Sequence, residues 1–246
     1  MHAQVILFDG FDPLDVIAPF EVLHAGGTAS GGALTVELVS AEGPREVPSG
    51  TGGLTLTATT RLDPASADLV LVPGAAGRVT ETGDPEDDET GGTDGGPEDD
   101  ETGGVDGGAP RANGDESIPV LLGRTLRTDL PRLLKDAVER PGVTVATVCG
   151  GSLILAMAGL IEGRHATTHH LGMDLLDATG AVGVRARVVD DGDLVTAAGV
   201  TSGLDLGLYL LERELGPRIA HAVETLFAYE RRGVVWRAYG PAPAAL

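Results

Sequence analysis

The chain has little of several residue types. Its 246 residues include one cysteine, Cys149, one tryptophan and one lysine, Lys135. A single cysteine excludes an intramolecular disulfide and a cysteine-based zinc site, and it fits a reducing cytoplasm. No stretch reaches the ~18 apolar residues of a membrane-spanning helix. The first residues lack the basic segment of a signal peptide and meet an acid at Asp9. We therefore expect a soluble, cytoplasmic protein with no membrane contact.

Positive charge is also scarce. The formal net charge is −20, from 37 acidic and 17 basic residues. Such a balance leaves no basic stripe that could displace the counterions of a nucleic acid, so we expect no nucleic-acid partner. An acid-rich, lysine-poor composition resembles the surfaces of proteins from salt-accumulating microbes, where screening by salt reduces self-repulsion.

The acidic residues are concentrated in one internal segment. Residues 85–96 recur almost unchanged as residues 97–108, with Val105 in place of Thr93. The repeat has almost no apolar side chains to bury, which favours a disordered insert over a packed repeat unit. Calcium binding is the alternative, although the carboxylates lack the spacing of an EF-hand. We predict one domain spanning residues 1–246, interrupted by this insert at about residues 79–117.

Outside the insert, predicted strands and helices alternate. This pattern predicts an α/β fold, a three-layer, doubly wound, mostly parallel sheet with helices on both faces. Loops at the carboxyl ends of such strands form binding sites, and three qualify: those after Phe8, after Val72 and at Cys149. The predicted strands are 4–8, 34–39, 54–57, 68–72, 143–148, 185–189 and 194–197; the predicted helices are 14–25, 119–139 with a break at Pro131, 153–160, 202–215 and 217–231.

Cys149 lies where a strand is expected to turn sharply into a helix. A short apolar, β-branched run ends at Val148, and two glycines follow the cysteine. Small residues allow a tight turn and leave backbone amides free at the helix start. Those amides and the helix dipole favour the thiolate, the reactive form of cysteine. The alternative is a small buried hydrophobic residue without chemistry.

Four segments together resemble the ThiJ/PfpI superfamily, which has the class I glutamine amidotransferase-like fold, of the flavodoxin-like kind. The resemblance is strongest to the isonitrile hydratase branch and covers the chain apart from about residues 79–117. The segments are 8–22 (FDGFDPLDVIAPFEV), 148–152 (VCGGS), 158–169 (AGLIEGRHATTH) and 198–206 (AGVTSGLDL).

The resemblance implies a site around Cys149 as nucleophile. Asp15 matches the acid that faces the sulfur, and a carboxyl group beside a thiolate is expected to stay protonated and to act as a general acid. From its local sequence alone, Asp15 is equally a helix-start residue. Gly74 matches the position whose amide faces the cysteine, and with the Gly150 amide it would form an anion hole.

Two further residues are candidates on the same basis. His169 matches the histidine of the family's cysteine–histidine pair, and it is expected either to serve as a base or to cap the strand end against a partner subunit. Thr201 is expected to line the pocket or to cap a helix. Glu21 is expected to have a supporting role.

Other positions narrow the chemistry. Glutamine amidotransferases of this fold carry a glutamate two residues after the histidine, where this chain has Leu171. Most isonitrile hydratases have a threonine after the cysteine, where this chain has Gly150. No glycine-rich phosphate-binding motif appears between a strand and a helix, so we expect no nucleotide cofactor and no metal.

The resemblance implies a small-molecule substrate and a homodimer. The first hypothesis is a cysteine-dependent hydratase or hydrolase, a lyase of the isonitrile hydratase type, with Asp15 as general acid. Two alternatives remain open: a glyoxalase- or deglycase-like enzyme acting on small dicarbonyls, which needs His169 as base, and a thiol redox sensor without turnover. A transcription regulator is not expected, because few residues follow the last predicted helix.

Overall fold

A central eight-stranded sheet organises the computed structural model, which describes residues 1–79 and 116–241. The strand order is β12-β10-β11-β7-β6-β1-β2-β5, and every neighbouring pair is parallel except β10 with β11. The strands are β1 (His2–Leu7), β2 (Thr35–Ser40), β3 (Arg45–Pro48), β4 (Thr55–Ala58), β5 (Thr60–Arg61), β6 (Leu69–Val72), β7 (Thr144–Val148), β8 (His165–Ala166), β9 (Val182–Gly183), β10 (Val188–Asp190), β11 (Leu194–Ala197) and β12 (Trp236–Arg237).

Helices form two groups around this sheet. One group contains α1, α6 and α7, which contact one another, and the other contains α2, α3 and α5, which contact α4. The predicted three-layer α/β class, with a mostly parallel sheet, is confirmed. The helices are α1 (Pro13–Ala29), α2 (Ile118–Thr125), α3 (Leu130–Val138), α4 (Gly151–Met157), α5 (Met173–Ala178), α6 (Ser202–Leu215) and α7 (Pro217–Phe227).

The central strands are buried because both faces of the sheet are covered. All four residues of β6 and of β11 are buried. Burial on both faces explains the continuous apolar sequence of β6. Helix α1 begins where predicted for a simple reason: Asp12 caps it by accepting the Leu14 amide at 2.9 Å, and Pro13 occupies its first turn.

Glycines bring α1 and α6 into close contact. A methyl group on Gly26 of α1 would lie 2.2 Å from Leu211 Cδ2, and one on Gly207 of α6 would lie 2.8 Å from Val22 Cγ1. Side chains larger than hydrogen would push the two helices apart. The close packing fixes the position of α1, the helix that contains the candidate site residue Asp15.

Several predicted boundaries were wrong. The predicted helix 119–139 is two helices, and the break at Leu126 to Asp129 precedes Pro131, which lies in the first turn of α3. Proline removes no hydrogen bond in a first turn, so it starts a helix there and does not interrupt one. Helix α7 ends at Phe227, before the predicted residue 231.

The acidic repeat, with most of the insert predicted at about residues 79–117, lies outside the described residues, which resume at residue 116. Arg78 donates its amide to the Glu116 carbonyl at 2.9 Å and accepts the Ile118 amide at 3.1 Å. The two ends are therefore joined side by side, and strands from before and after the repeat share one sheet. These facts support our proposal of one interrupted domain.

Substitution of Gly151 by alanine tests the contact between α4 and β6. A Cβ at this position would lie 2.1 Å from the Val72 carbonyl oxygen. Because backbone atoms cannot rotate away, we expect a loss of about 1–3 kcal/mol in the free energy of unfolding, measured by urea denaturation.

Gly123→Ala is the matched control. Gly123 lies inside α2, and a Cβ there would meet no atom within 4 Å. We expect this variant to gain roughly 0.5–1 kcal/mol from helix propensity. Equal stability of the two variants would contradict the proposed contact.

Candidate active site

Cys149 occupies a strained turn at the carboxyl end of β7. Its φ is +54°, and Ala228, at the end of α7, is the other non-glycine residue with positive φ among residues 1–79 and 116–241. This backbone region is costly for a residue with a side chain and persists only where surrounding contacts hold it. The predicted sharp strand-to-helix turn is therefore present.

Hydrogen bonds from two neighbouring segments hold this turn. The Cys149 amide donates to the Ala197 carbonyl of β11 at 3.0 Å. The buried Thr168 hydroxyl donates to the Cys149 carbonyl at 2.8 Å. Thr168 was not singled out from the sequence, although it lies in one of the segments that carry the family resemblance. Its buried hydroxyl becomes meaningful only once the fold brings it to the cysteine.

Asp15 meets the cysteine turn through Gly74. A methyl group on Gly74 would lie 2.7 Å from the Gly150 amide nitrogen and 2.8 Å from Asp15 Oδ2. Three segments therefore converge here: α1, the loop after β6 and the turn after β7. The prediction that Asp15 lies beside Cys149 agrees with this arrangement, since each side chain shifts the pKa of the other.

The Asp15 carboxyl group is fully buried and incompletely hydrogen-bonded. Its exposed fraction is 0%. Oδ2 accepts the Gly74 amide at 2.9 Å, whereas Oδ1 has no hydrogen-bond partner among the described residues. Burial, together with the charge of Asp12, raises the pKa of Asp15 well above its ordinary value. A protonated Asp15 would have a proton to donate from Oδ1.

The expected anion hole is not open in this structure. The Gly74 amide was predicted to face the cysteine and to form an anion hole with the Gly150 amide, but it donates to Asp15 instead. The Gly150 amide faces the cysteine sulfur, where it lowers the pKa of the thiol. The reason is that the buried carboxyl and sulfur need partners, and these two amides are the neighbouring donors.

The prediction of a readily ionised thiol was wrong. Burial raises the pKa of the Cys149 thiol, the nearby Asp15 carboxyl raises it further, and the Gly150 amide only partly offsets them. The cysteine is 8% exposed. Desolvation therefore outweighs the amides of the short helix α4, and burial favours the protonated form of both side chains.

His169 has a structural role in this arrangement. Its Nδ1 accepts the Leu171 amide at 3.4 Å, which caps a turn of 3-10 helix at His170–Gly172, and its ring packs against His170. Partial burial and the neighbouring His170 lower the pKa of His169. The described residues show no hydrogen bond from His169 to Cys149 or Asp15. His169 thus caps a 3-10 turn, whereas the expected contact with a partner subunit and the catalytic role both stay predictions.

Thr201 also has another partner. It is exposed, and its hydroxyl accepts a hydrogen bond from Arg187 Nη2 at 3.1 Å. It precedes α6 without capping it through its side chain. The buried carboxylate of Asp205, in turn, pairs with Arg187. This network stabilises the start of α6. It gives no support to the prediction that Thr201 lines a substrate pocket.

Open space lies elsewhere. A cavity of about 640 Å³ is bordered by α6 and the C-terminal segment, and none of the predicted site residues lines it. Within residues 1–79 and 116–241, no three His, Cys, Asp or Glu side chains are grouped to hold a metal ion. No helix of this part is long and apolar enough to cross a membrane.

Replacement of Asp15 by asparagine tests the protonation state by the pH dependence of stability. Folding raises the pKa of Asp15 above its value in the unfolded chain. The protonated carboxyl therefore contributes its full stabilisation below the unfolded-state pKa, and this contribution is lost as the pH rises through the folded-state pKa. We therefore expect the stability of Asp15→Asn relative to wild type to increase over that window, measured by urea denaturation at several pH values.

Asp136→Asn is the control for this experiment. Asp136 is an exposed acid of α3, outside the Asp15–Cys149 pair. The stability of this variant relative to wild type should lack the rise with pH that is expected for Asp15→Asn. A difference for Asp15→Asn that is constant or shrinks as pH rises would mean that the carboxyl is ionised in the folded protein.

Comparisons with known proteins find sequence similarity over the part of the chain that contains Cys149. The DJ-1/PfpI family model matches residues 123–213, which include Cys149 and His169. An isonitrile hydratase of Pseudomonas putida is 45% identical over 85 residues, 35% of this chain and 37% of that protein. The HTH-type transcriptional regulator CdhR of Pseudomonas aeruginosa is 34% identical over 126 residues, 50% of this chain and 38% of that protein. The matches span less than two fifths of each relative's length.

Solved structures show the same fold across nearly the whole chain. A ThiJ/PfpI family protein from Pseudomonas syringae has a TM-score of 0.66 at 22% identity, covering 94% of this chain and 76% of that one. Drosophila melanogaster DJ-1beta has a TM-score of 0.66 at 18% identity, covering 93% of this chain and 98% of that one. These likenesses show the fold, and the family-model match makes residues 123–213 of this chain similar to the DJ-1/PfpI family.

Proposed function

We propose that this protein is a cysteine-dependent hydratase that adds water to a small electrophilic carbon, an isonitrile being the favoured substrate. The main support is the buried Asp15 carboxyl, whose Oδ1 is unpartnered among the described residues and lies in the same site as the strained Cys149. An acid that stays protonated next to a nucleophile suits a reaction in which one carbon receives both a sulfur and a proton. The similarity to the Pseudomonas putida isonitrile hydratase supports the choice of electrophile.

The raised pKa of both groups is compatible with this chemistry. Asp15 Oδ1 donates a proton to the terminal isonitrile carbon while Cys149 Sγ forms a bond to it, and the thiol proton passes to the carboxyl. The product is a thioimidate. Water then adds to the same carbon, its protons go to the nitrogen and the departing sulfur, and an N-substituted formamide is released. No thiolate needs to exist before the substrate binds.

The dicarbonyl alternative is less well supported. It requires His169 as a base, and Nδ1 of that ring already accepts the Leu171 amide. The redox-sensor alternative needs only an oxidisable Cys149, so absence of turnover with all electrophiles would favour it. The homodimer and the cytoplasmic location that the sequence suggested remain proposals.

Turnover of n-alkyl isonitriles by the purified chain, in concentrated salt, tests the proposal. We expect formamide, detected by NMR, and no product with Cys149→Ser. Asp15→Asn removes the general acid and should lower kcat/KM by about a hundredfold or more.

Asp136→Asn again serves as the control. Because Asp136 is an exposed acid of α3 outside the proposed pair, kcat/KM of this variant should stay within about threefold of wild type. The proposal fails if the wild type forms no formamide or if Cys149→Ser turns over equally well. Dicarbonyl turnover that disappears in His169→Ala would instead favour the second enzyme hypothesis.

A further inference from the structure

A leucine of α2 occupies the space beside the residue that follows the nucleophile. If Gly150 had a Cβ, that atom would lie 3.2 Å from Leu122 Cδ1 and 3.7 Å from its Cδ2. Leu122 is 2% exposed, so its side chain is packed in place. The space where a side chain at position 150 would project is therefore filled from another helix.

This contact lies next to the proposed reacting groups. The same Cβ position is 3.6 Å from Gly74 Cα, and Gly74 donates its amide to Asp15. The Gly150 amide lowers the pKa of the Cys149 thiol through a hydrogen bond. The Leu122 side chain thus packs beside the two glycines whose amides serve the catalytic pair.

We propose that Leu122 is a specificity-determining residue that limits access to Cys149 to narrow, uncharged electrophiles. This inference rests on the proposed function and refines it: the favoured substrates carry a terminal, unbranched electrophilic carbon, as in an n-alkyl isonitrile. Branched or charged groups at that carbon would have to displace a packed apolar side chain next to a cysteine that is only 8% exposed.

The neighbouring leucine provides a matched control. Leu121 is 1% exposed and belongs to the same helix, but its partners are different. A Cβ on Gly10 would lie 2.6 Å from Leu121 Cδ2, and one on Gly77 would lie 3.1 Å from Leu121 Cδ1. Both leucines are therefore buried, yet only Leu122 covers Gly150.

Alkylation of Cys149 tests the proposal without requiring turnover. The second-order rate constants for iodoacetamide and for the bulkier N-cyclohexylmaleimide give a bulky-to-small ratio. We expect Leu122→Ala to raise this ratio at least about tenfold, because the bulky reagent no longer waits for local opening, and Leu121→Ala to keep it within about twofold of wild type. An unchanged ratio in Leu122→Ala, or an equal rise in Leu121→Ala, would overturn the proposal.

A variant with the opposite effect makes the test independent of one truncation. Gly150→Ala places a methyl group in the tight contact with Leu122, so it should lower the ratio, and adding Leu122→Ala should restore it. Should Leu122→Ala fail to fold, Leu122→Val and Gly150→Ala decide the matter, with no change in either ratio overturning it.

Failure of the proposed function can be distinguished from failure of this inference. If the wild type turns over n-butyl isonitrile, Leu122→Ala should improve kcat/KM for tert-butyl isonitrile relative to n-butyl. If the wild type hydrates neither isonitrile but the alkylation ratio changes as expected, the hydratase assignment fails while the role of Leu122 in access stands.

Discussion

The burial of one carboxyl group against one thiol is the constraint on which the site depends. Burial disfavours the charged form of both Asp15 and Cys149, and each would repel the other's negative form. The two amides nearest to them, from Gly74 and Gly150, donate to one acceptor each. Under the proposed function, the reactivity of the site would therefore depend more on the placement of the two groups than on a thiolate that is already formed.

The surrounding fold maintains that placement. Glycines on both helices allow α1 and α6 to pack closely. This packing helps to hold Asp15 at the carboxyl ends of the central strands β6 and β7. The strained Cys149 is held from β11 through its amide and by Thr168 through its carbonyl. Residues distant in the sequence thus maintain a geometry that no single segment would adopt alone, as is typical of strained functional residues.

Much of this organisation could be predicted from the sequence, and the errors have identifiable causes. The apolar run to Val148 and the glycines after Cys149 are local signals, so the turn was predicted correctly. The position of Asp15 came from the family resemblance, because nothing in its local sequence separates it from a helix-start residue. The ionisation of Cys149 was predicted wrongly, since local amides suggested a thiolate while burial, a tertiary property, dominates. Leu122 was missed because an interior leucine has no sequence signal for its neighbours.

The prediction of secondary structure from the sequence was limited by tertiary contacts in the same way. The long elements α6 and β7 were predicted closely, because their patterns are continuous. The two-residue strands β5, β8, β9 and β12 were missed, since such pairs form only where tertiary contacts align them. The four-residue strand β3 and the short helix α5 were missed as well.

Two of these missed or minor elements set the borders of the sheet. In the part of the chain that is described, it ends on β5 and β12, each only two residues long and each finishing in an arginine, Arg61 and Arg237. Short, charged border strands offer few free backbone groups to an added strand. Edge-to-edge growth, the usual route from sheet proteins to aggregates, is thereby discouraged, and copies of this molecule that associate would meet more readily through their helices.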